Sequence, residues 1–435
     1  MWYHKVIAIA ASAIAGGFVC VAAAEEAPGT DLVSLAGTAA TDAAEATEAA
    51  PQDTKDVPLV VKPRPREGAS AIASSPTNRA LVVAVTATET GNKCLAYRSA
   101  NGGRTWLPSV VLPGSTNAGC YDADVAYAPD GGAVYAAYAI DADDGSKDVV
   151  VARSTDNGAT WTDPPVVALD ASVDGFYSPR LAVSLDKADA GWVYLLAARI
   201  PDYGPITSIT VTRSGDRGTT WDPGKTVVTW DDISDGTATL TGGLGGEVLL
   251  VWSARNQYQN FYRLRTMVSR DHAGSFGRPV LVARDLPEGY WTFDAKIGQQ
   301  GSAHIVYERP ADGSHTAIGY TWSARPYTTW AAPVTLGDGT DYDKVYPVLA
   351  AQRCGMSTLL QVAWEEKRPS PDCGVHYTRK LARTGSDWSA DLRVSDGASC
   401  TGYPVIAAAP SGALTAWTAD SGVYSSRVLS GESCP

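Results

Sequence analysis

Ser154-Thr155-Asp156-Asn157-Gly158-Ala159-Thr160-Trp161 is matched by Ser214-Gly215-Asp216-Arg217-Gly218-Thr219-Thr220-Trp221. An earlier copy, Ser99 to Trp106, has Asn101 in place of the aspartate. A later one, Ser269 to Phe276, keeps Asp271 but has Ala273 where the glycine stood. Two worn copies end in Thr329-Trp330 and Asp387-Trp388. The closing aromatics Trp106, Trp161, Trp221, Phe276, Trp330 and Trp388 follow one another at 55, 60, 55, 54 and 58 residues. A period of this size marks one supersecondary unit repeated along or around an axis.

Each copy follows an alternating stretch such as Asp148-Val149-Val150-Val151-Ala152-Arg153 and precedes one such as Pro165-Val166-Val167-Ala168-Leu169. That pattern is a β-hairpin with the eight-residue phrase as its turn. Gly158 and Gly218 supply the positive φ that a tight turn needs. Asp156 and Asp216 are placed to accept backbone N–H bonds across the turn, with the Ser and Thr hydroxyls beside them. Trp161 and Trp221 return a large ring to the core. On this reading the aspartates build turns and do no chemistry.

The phrase resembles the Asp box, or BNR repeat, of sialidases, several secreted glycosidases, sortilin-like receptors and many bacterial exported proteins. The likeness covers nearly everything after residue 57. It implies an all-β propeller in which Asn101, Trp106, Asp156, Trp161, Asp216, Trp221, Asp271 and Phe276 are structural. Seven segments read as innermost strands: Ala69–Ser75, Ala123–Pro129, Pro179–Leu185, Gly236–Gly242, Phe293–Gly298, Tyr346–Ala351 and Tyr403–Pro410. Seven blades are therefore predicted, with a six-bladed sialidase-like propeller as the alternative. The last unit has a third strand at Gly422–Leu429, after which the chain ends. Val57-Pro58-Leu59-Val60-Val61-Lys62 resembles the strand that follows each turn, so it is expected to complete that unit and cover its edge.

Upstream of the repeats, Lys5 precedes an apolar run from Val6 to Val21, and Ala22-Ala23-Ala24 offers a small-residue cleavage site. Residues 1–24 thus read as a signal peptide and the protein as secreted, extracellular or periplasmic. No later segment is apolar enough to span a membrane. Residues 25–56 hold eight acids against Lys55, a charge of −7, and no aromatic residue. Such a stretch cannot bury enough apolar surface to offset its chain entropy and reads as a disordered acidic linker before a propeller domain at 57–435. The whole chain carries −12 and no basic stripe, which argues against nucleic acid as a partner. With 20 Tyr and 13 Trp against 5 Phe, its aromatics are mostly amphipathic, as on a wet binding surface.

Once Cys20 leaves with the signal, six cysteines remain: Cys94, Cys120, Cys354, Cys373, Cys400 and Cys434. An even number in an exported chain predicts disulfides. The expected pairs are Cys94–Cys120, Cys354–Cys373 and Cys400–Cys434. No Cys-x-x-Cys or clustered histidine suggests a metal, and no phosphate loop or nucleophile elbow suggests a cofactor. Asp141-Ala142-Asp143-Asp144-Gly145 resembles a calcium loop, but its glycine falls one residue early and no glutamate closes it, so a plain acidic turn is favoured.

In a four-stranded unit the start of the first strand and the second-to-third-strand loop share one face, opposite the eight-residue turns. That face collects Asp122, Asp124, Tyr177, Arg180, Arg255, Trp291, Asp294, Glu308, Arg309, Glu365 and Tyr403 as ligand-binding candidates, with Tyr121, Tyr346, Glu366 and Arg368 nearby. Aromatics beside arginines and carboxylates suit a sugar or an anion. A monomer that binds a glycan or a cell-surface protein is the preferred expectation, and a sialidase-like exo-glycosidase the alternative. Sialidases carry Arg-Ile-Pro on the first inner strand, where this chain has Glu67-Gly68-Ala69-Ser70-Ala71-Ile72. Arg199-Ile200-Pro201 has those letters in a different place, so the resemblance assigns no catalytic residue.

Overall fold

A computed structural model describes residues 52–58, 68–87, 93–115, 119–171, 175–201, 206–229, 238–255, 262–286, 292–311, 315–337, 342–368, 374–382, 386–395, 401–409, 412–419 and 422–429. Their alternating apolar runs become 28 strands, and one three-residue 3-10 turn sits at Lys187–Asp189. After β1 (Gln52–Pro58), one pattern repeats. β2 (Gly68–Ser74), β3 (Val82–Ala87), β4 (Cys94–Ser99) and β5 (Val110–Val111) pair in chain order into an antiparallel sheet. So do β6 (Tyr121–Tyr127), β7 (Val134–Asp141), β8 (Lys147–Ser154) and β9 (Val166–Leu169). The third unit is β10 (Gly175–Val183), β11 (Val193–Ile200), β12 (Ser208–Ser214) and β13 (Lys225–Thr229), joined to the second by one parallel contact, Gly175 with Lys147.

The fourth unit comprises β14 (Ala238–Gly242), β15 (Val248–Arg255), β16 (Tyr262–Ser269) and β17 (Val280–Leu286). The fifth comprises β18 (Phe293–Ile297), β19 (Ala303–Pro310), β20 (Thr316–Ser323) and β21 (Val334–Leu336). The sixth comprises β22 (Asp343–Cys354), β23 (Ser357–Lys367), β24 (Gly374–Leu381) and β25 (Leu392–Arg393). In the last sheet β26 (Thr401–Ala409), β27 (Gly412–Ala419) and β28 (Gly422–Leu429) take β1 as their fourth strand, with Gln52 opposite Val428 and Pro58 opposite Tyr424.

The strand that completes the last sheet is therefore Gln52–Pro58, which begins five residues before the expected Val57–Lys62 and shares Val57 and Pro58 with it. It begins inside the stretch that composition alone reads as linker. Pairing decides this: the unsatisfied edge of β28 can order a polar segment, because a ladder bonds backbone and not side chains. Residues 59–62 lie outside the described residues.

Successive first strands touch in the order β2, β6, β10, β14, β18, β22, β26, and β26 lies against β2 again. Apolar clusters fill the gaps between neighbouring units, and the closing aromatics of the repeated turns supply part of each. Trp161 packs with Val83, Val85 and Tyr138 between the first two units. Trp221, Phe276 and Trp330 lie against the next three clusters in the same way. Trp106 packs with Leu414 and Ala416 of the last unit, and its Nε1–H donates to Ser425 Oγ at 3.0 Å.

The turns share one set of bonds. Ser154 Oγ takes the N–H of Gly158 at 2.8 Å, and Asp156 takes the N–H and hydroxyl of Thr160 at 2.9 and 2.6 Å. Ser214 and Asp216, Ser269 and Asp271, and Ser99 and Asn101 repeat the scheme. Desolvation pushes the Asp156 carboxyl up, but bonds from Thr160, Ser154 and Ala159 outweigh it and bring the group down to about 2. Its stabilising contribution is therefore complete above pH 4 and fades as pH falls toward 2. Asp156→Ala is expected to cost about 1 kcal/mol in urea titrations at pH 7, a modest figure because the turn is exposed.

Cys94 and Cys120 form a disulfide with Cα atoms 5.6 Å apart, linking β4 to the segment entering β6 as expected. It closes a separation of 26 residues, worth about 3.5 kcal/mol in the chain-entropy model. Cys354 is also disulfide-bonded. Cys373, Cys400 and Cys434, and with them the other two expected pairs, lie outside the described residues.

Candidate functional site

Each unit has two ends. In the second, Tyr127, Val134 and Ser154 lie at the end that carries the repeated turn, whereas Tyr121, Asp141 and Lys147 lie at the other. At that other end the first strands share a bulge. The register slips between Tyr121 and Ala123, Tyr177 and Arg180, Val345 and Val348, and Gly402 and Val405. Four bulge residues are left-handed: Asp122 at φ 41°, Ser178 at 51°, Tyr346 at 56° and Tyr403 at 49°. Proline follows three of them (Pro179, Pro347 and Pro404), so the slipped position has no N–H to leave unpaired. Bulges also made the first strands longer at their start than the sequence suggests: the second begins at Tyr121 and not Ala123, the third at Gly175 and not Pro179.

Carboxylates from the preceding unit hold the N–H groups that these bulges free. Asp122 Oδ2 accepts from Ser178 N at 3.1 Å, and Asp124 Oδ2 from Leu181 N at 2.7 Å. Asp294 Oδ2 accepts from Leu349 N at 2.9 Å, and Glu308 Oε1 from Tyr346 N at 2.7 Å. Desolvation raises Asp122 to about 6, opposed by Arg180 and by its Ser178 bonds. Asp124 is raised for the same first reason. Asp294 also holds Lys296 Nζ at 2.8 Å. Asp124 and Asp294 are thus engaged with backbone, which leaves little of either for a ligand.

Glu308 shares this backbone contact through Tyr346 N, but it and Glu365 sit on second strands and not on first ones. They fill equivalent places, each following the aromatic near the end of a second strand (Tyr307 and Trp364), where other units have Ala139, Ser253 or Thr418. Glu308 is 3% exposed and Glu365 is 6% exposed. Thr292 Oγ1 donates to Glu308 Oε1 at 2.6 Å. Glu365 Oε2 is buried with no hydrogen-bond partner among the described residues. Desolvation raises both carboxyls to about 7; the Lys367 ammonium pulls each down, and for Glu365 the Glu308 charge adds to the rise.

Tyr346 and Tyr403 stand over this pair, with ring centroids 4.5 Å apart and planes tilted by 39°. Their hydroxyls are hydrogen-bonded; burial, then the Tyr403 ring beside it, raises the Tyr346 phenol. Lys367 Nζ lies 5.3 Å from the Tyr346 centroid, and Tyr403 remains 44% exposed. The result is a half-open tyrosine pair above two buried acids whose carboxyls burial raises to about 7.

The remaining candidates are scattered. Tyr177 lies across the first-strand ends with Tyr121, where Lys147 Nζ sits 4.4 Å from the Tyr121 centroid and 6.0 Å from that of Tyr177. Arg180 donates to Pro179 O at 3.0 Å and faces Asp122 and Asp124. Arg309 neighbours Tyr307 on the strand face away from Glu308, since adjacent strand residues point oppositely. The side chain of Arg255 and all of Trp291 lie outside the described residues. The Asp141–Gly145 segment is a turn in which Asp144 takes Ser146 N at 2.9 Å and Asp141 pairs with Lys147. Glu366, His376 and Asp391 bring ligand-type atoms within 4.8 Å of one another. Glu366, however, is already paired with Arg368 and lies 3.8 Å from Lys344 Nζ, which makes a buried ion network the better description.

The sequence puts Tyr346 on this face but carries no sign of its contact with Tyr403, and nothing in it singles out Lys367. The repeated Ser-Pro or Tyr-Pro at residues 178–179, 346–347 and 403–404 was the available signal.

An ulvan lyase of polysaccharide lyase family PL25, solved bound to -[GlcA(1-4)Rha3S]-, is 11% identical over 87% of this chain and 97% of its own, with a TM-score of 0.56. The GH93 α-L-arabinofuranosidase of Fusarium graminearum, solved with arabinobiose, is 14% identical over 87% and 98%, with a TM-score of 0.51. The Hadza microbial sialidase Hz136 is 15% identical over 81% and 73%, with a TM-score of 0.48. No protein-family model matches the chain, and no curated protein does. Similarity at these identities is similarity of fold: the chain is an all-β protein that shares its fold with the lyase and the arabinofuranosidase. Among the described residues no helix is long and apolar enough to cross a membrane.

Proposed function

We propose that this is a secreted, seven-bladed Asp-box propeller, closed by β1, that binds a glycan where the first strands begin on its last three blades. The observation that carries the reading is the half-exposed Tyr403 against Tyr346, two rings on adjacent bulges above buried acids. Aromatic faces stack on sugar rings, while the hydroxyls and carboxyls beside them can bond sugar hydroxyls. Seven-bladed closure is supported by the contact of β26 with β2 and the pairing of β1 with β28. Export is supported by the Cys94–Cys120 disulfide. Glycan-active enzymes of the same fold fit this reading.

On a glycan array, Tyr403→Ala is expected to lower binding about ten-fold or more, the loss typical of a central aromatic anchor. Asp156→Ala should leave binding unchanged. Equal binding by wild type and Tyr403→Ala overturns the assignment of this face.

A second reading, a glycan-cleaving enzyme, draws on one observation: two carboxyls raised to about 7 beside phenol groups have proton affinities suited to acid–base chemistry near neutrality. A fluorogenic glycosidase panel run beside the array tests it. Sialic acid release is expected to be negligible, because the first inner strand lacks Arg-Ile-Pro and Arg309 lies on the face away from Glu308.

A further inference from the structure

We infer that the ligand recognised at this face is an acidic glycan, and that a uronate-type carboxylate of it is held between Lys367 and a proton on Glu365. The inference rests on the proposed glycan-binding role and adds the chemical class of the ligand. Three features on adjacent strands carry it. Glu365 is 94% buried in effect, being only 6% exposed, and its Oε2 meets no partner among the described residues. A buried polar atom without a partner is costly and rare, and an incoming group that can bond it recovers that cost. Lys367, two residues along β23 and so on the same strand face, is exposed and carries its ammonium over the Tyr346 ring. Tyr403 is the half-exposed wall beside them.

The charges facing Glu365 decide which ligand fits. Glu308 stands on the adjoining unit, Lys367 on its own strand, and the phenols of Tyr346 and Tyr403 on β22 and β26. Glu366 points to the other face of β23, where Arg368 and Lys344 compensate it. Burial first, and then the Glu308 charge, raise the Glu365 carboxyl to about 7 against the pull of Lys367, which favours its protonated form. A neutral carboxyl donates its O–H to a carboxylate, whereas an ionised one repels it. Among the described residues, Lys367 is the cation that acts on Glu365 and supplies positive charge for the ligand. No bond to carbon forms or breaks; the proton stays on Glu365 or is shared.

The test is calorimetric titration of the full chain with polygalacturonate and with dextran at pH 5.5 and pH 8.5. Polygalacturonate is expected to bind about ten- to thirty-fold more tightly at the lower pH, because only the protonated fraction of the protein is competent. Dextran affinity should not change with pH. Glu365→Gln, which keeps a donor and cannot ionise, is expected to retain the low-pH affinity and lose the pH dependence. Lys367→Met, at an exposed position, should weaken polygalacturonate at both pH values and spare dextran. Polygalacturonate affinity that does not fall with pH, or a Glu365→Gln protein as pH-dependent as wild type, overturns the inference. Dextran binding without any preference for polygalacturonate overturns it alone, whereas failure of wild type on the whole glycan array defeats the glycan reading beneath it.

Discussion

A chain lacking residues 25–58 is expected to lose its cooperative unfolding transition, while one lacking 25–51 unfolds like the full-length protein. The first deletion removes β1, the fourth strand of the sheet that ends in β28. Ladder bonds at about 1 kcal/mol net each amount to roughly 4 kcal/mol over this pairing. The larger consequence is an exposed β28 edge, open to pairing with other chains. Ser425, buried on β28, ties three parts together: its hydroxyl donates to Val57 O at 3.3 Å and accepts from Trp106 Nε1 at 3.0 Å. Losing β1 therefore also loosens the join between first and last units. Urea denaturation followed by tryptophan fluorescence measures the effect. Superimposable curves for the two truncations would show that β1 contributes nothing to closure.

The second large effect is expected from one added methyl group. At Gly242, the last residue of β14, a Cβ would lie 1.9 Å from Val183 O and 2.7 Å from Val183 C. Those are backbone atoms of β10 in the neighbouring unit, so no rotamer change can make room. The same junction is fastened by Leu185 N to Gly243 O at 2.9 Å and Ser184 Oγ to Gly243 O at 3.3 Å. Separating the strands to admit a methyl breaks these bonds as well. Gly242→Ala is thus expected to cost more than about 3 kcal/mol, or to leave no soluble protein. Gly402→Ala is the control, because a Cβ there meets nothing within 4 Å. A Gly242→Ala protein as stable as the control would contradict the tight inter-unit packing.

These two sites differ in how far they could have been anticipated. The strand Gly422–Leu429 was read with the boundaries it has, because its alternation and position in the repeat agree. β1 was misplaced because its sequence, Gln-Asp-Thr-Lys-Asp-Val-Pro, has no apolar alternation and is a strand only by virtue of its partner. Gly242 looked like one glycine among 42, and its intolerance of a side chain belongs to a neighbour 59 positions earlier. The candidate site divides similarly. Asp124 and Asp294 lie at the ligand-face end of their strands, as the repeat implies, yet each is engaged by a backbone N–H of the next unit.

From the sequence alone came the repeat, its turn chemistry, the all-β class and the face on which polar aromatics collect. All of these are local: a period, a glycine that permits positive φ, a serine and aspartate four residues from the N–H groups they bind. Tertiary structure alone decided which strand completes the last sheet, which acids bind backbone, and that Tyr346 and Tyr403, 57 residues apart, share one contact above Glu308 and Glu365. The reason is physical. Burial and pairing between units set the protonation of Glu365 and the freedom of its Oε2, and neither property exists until neighbouring sheets have met.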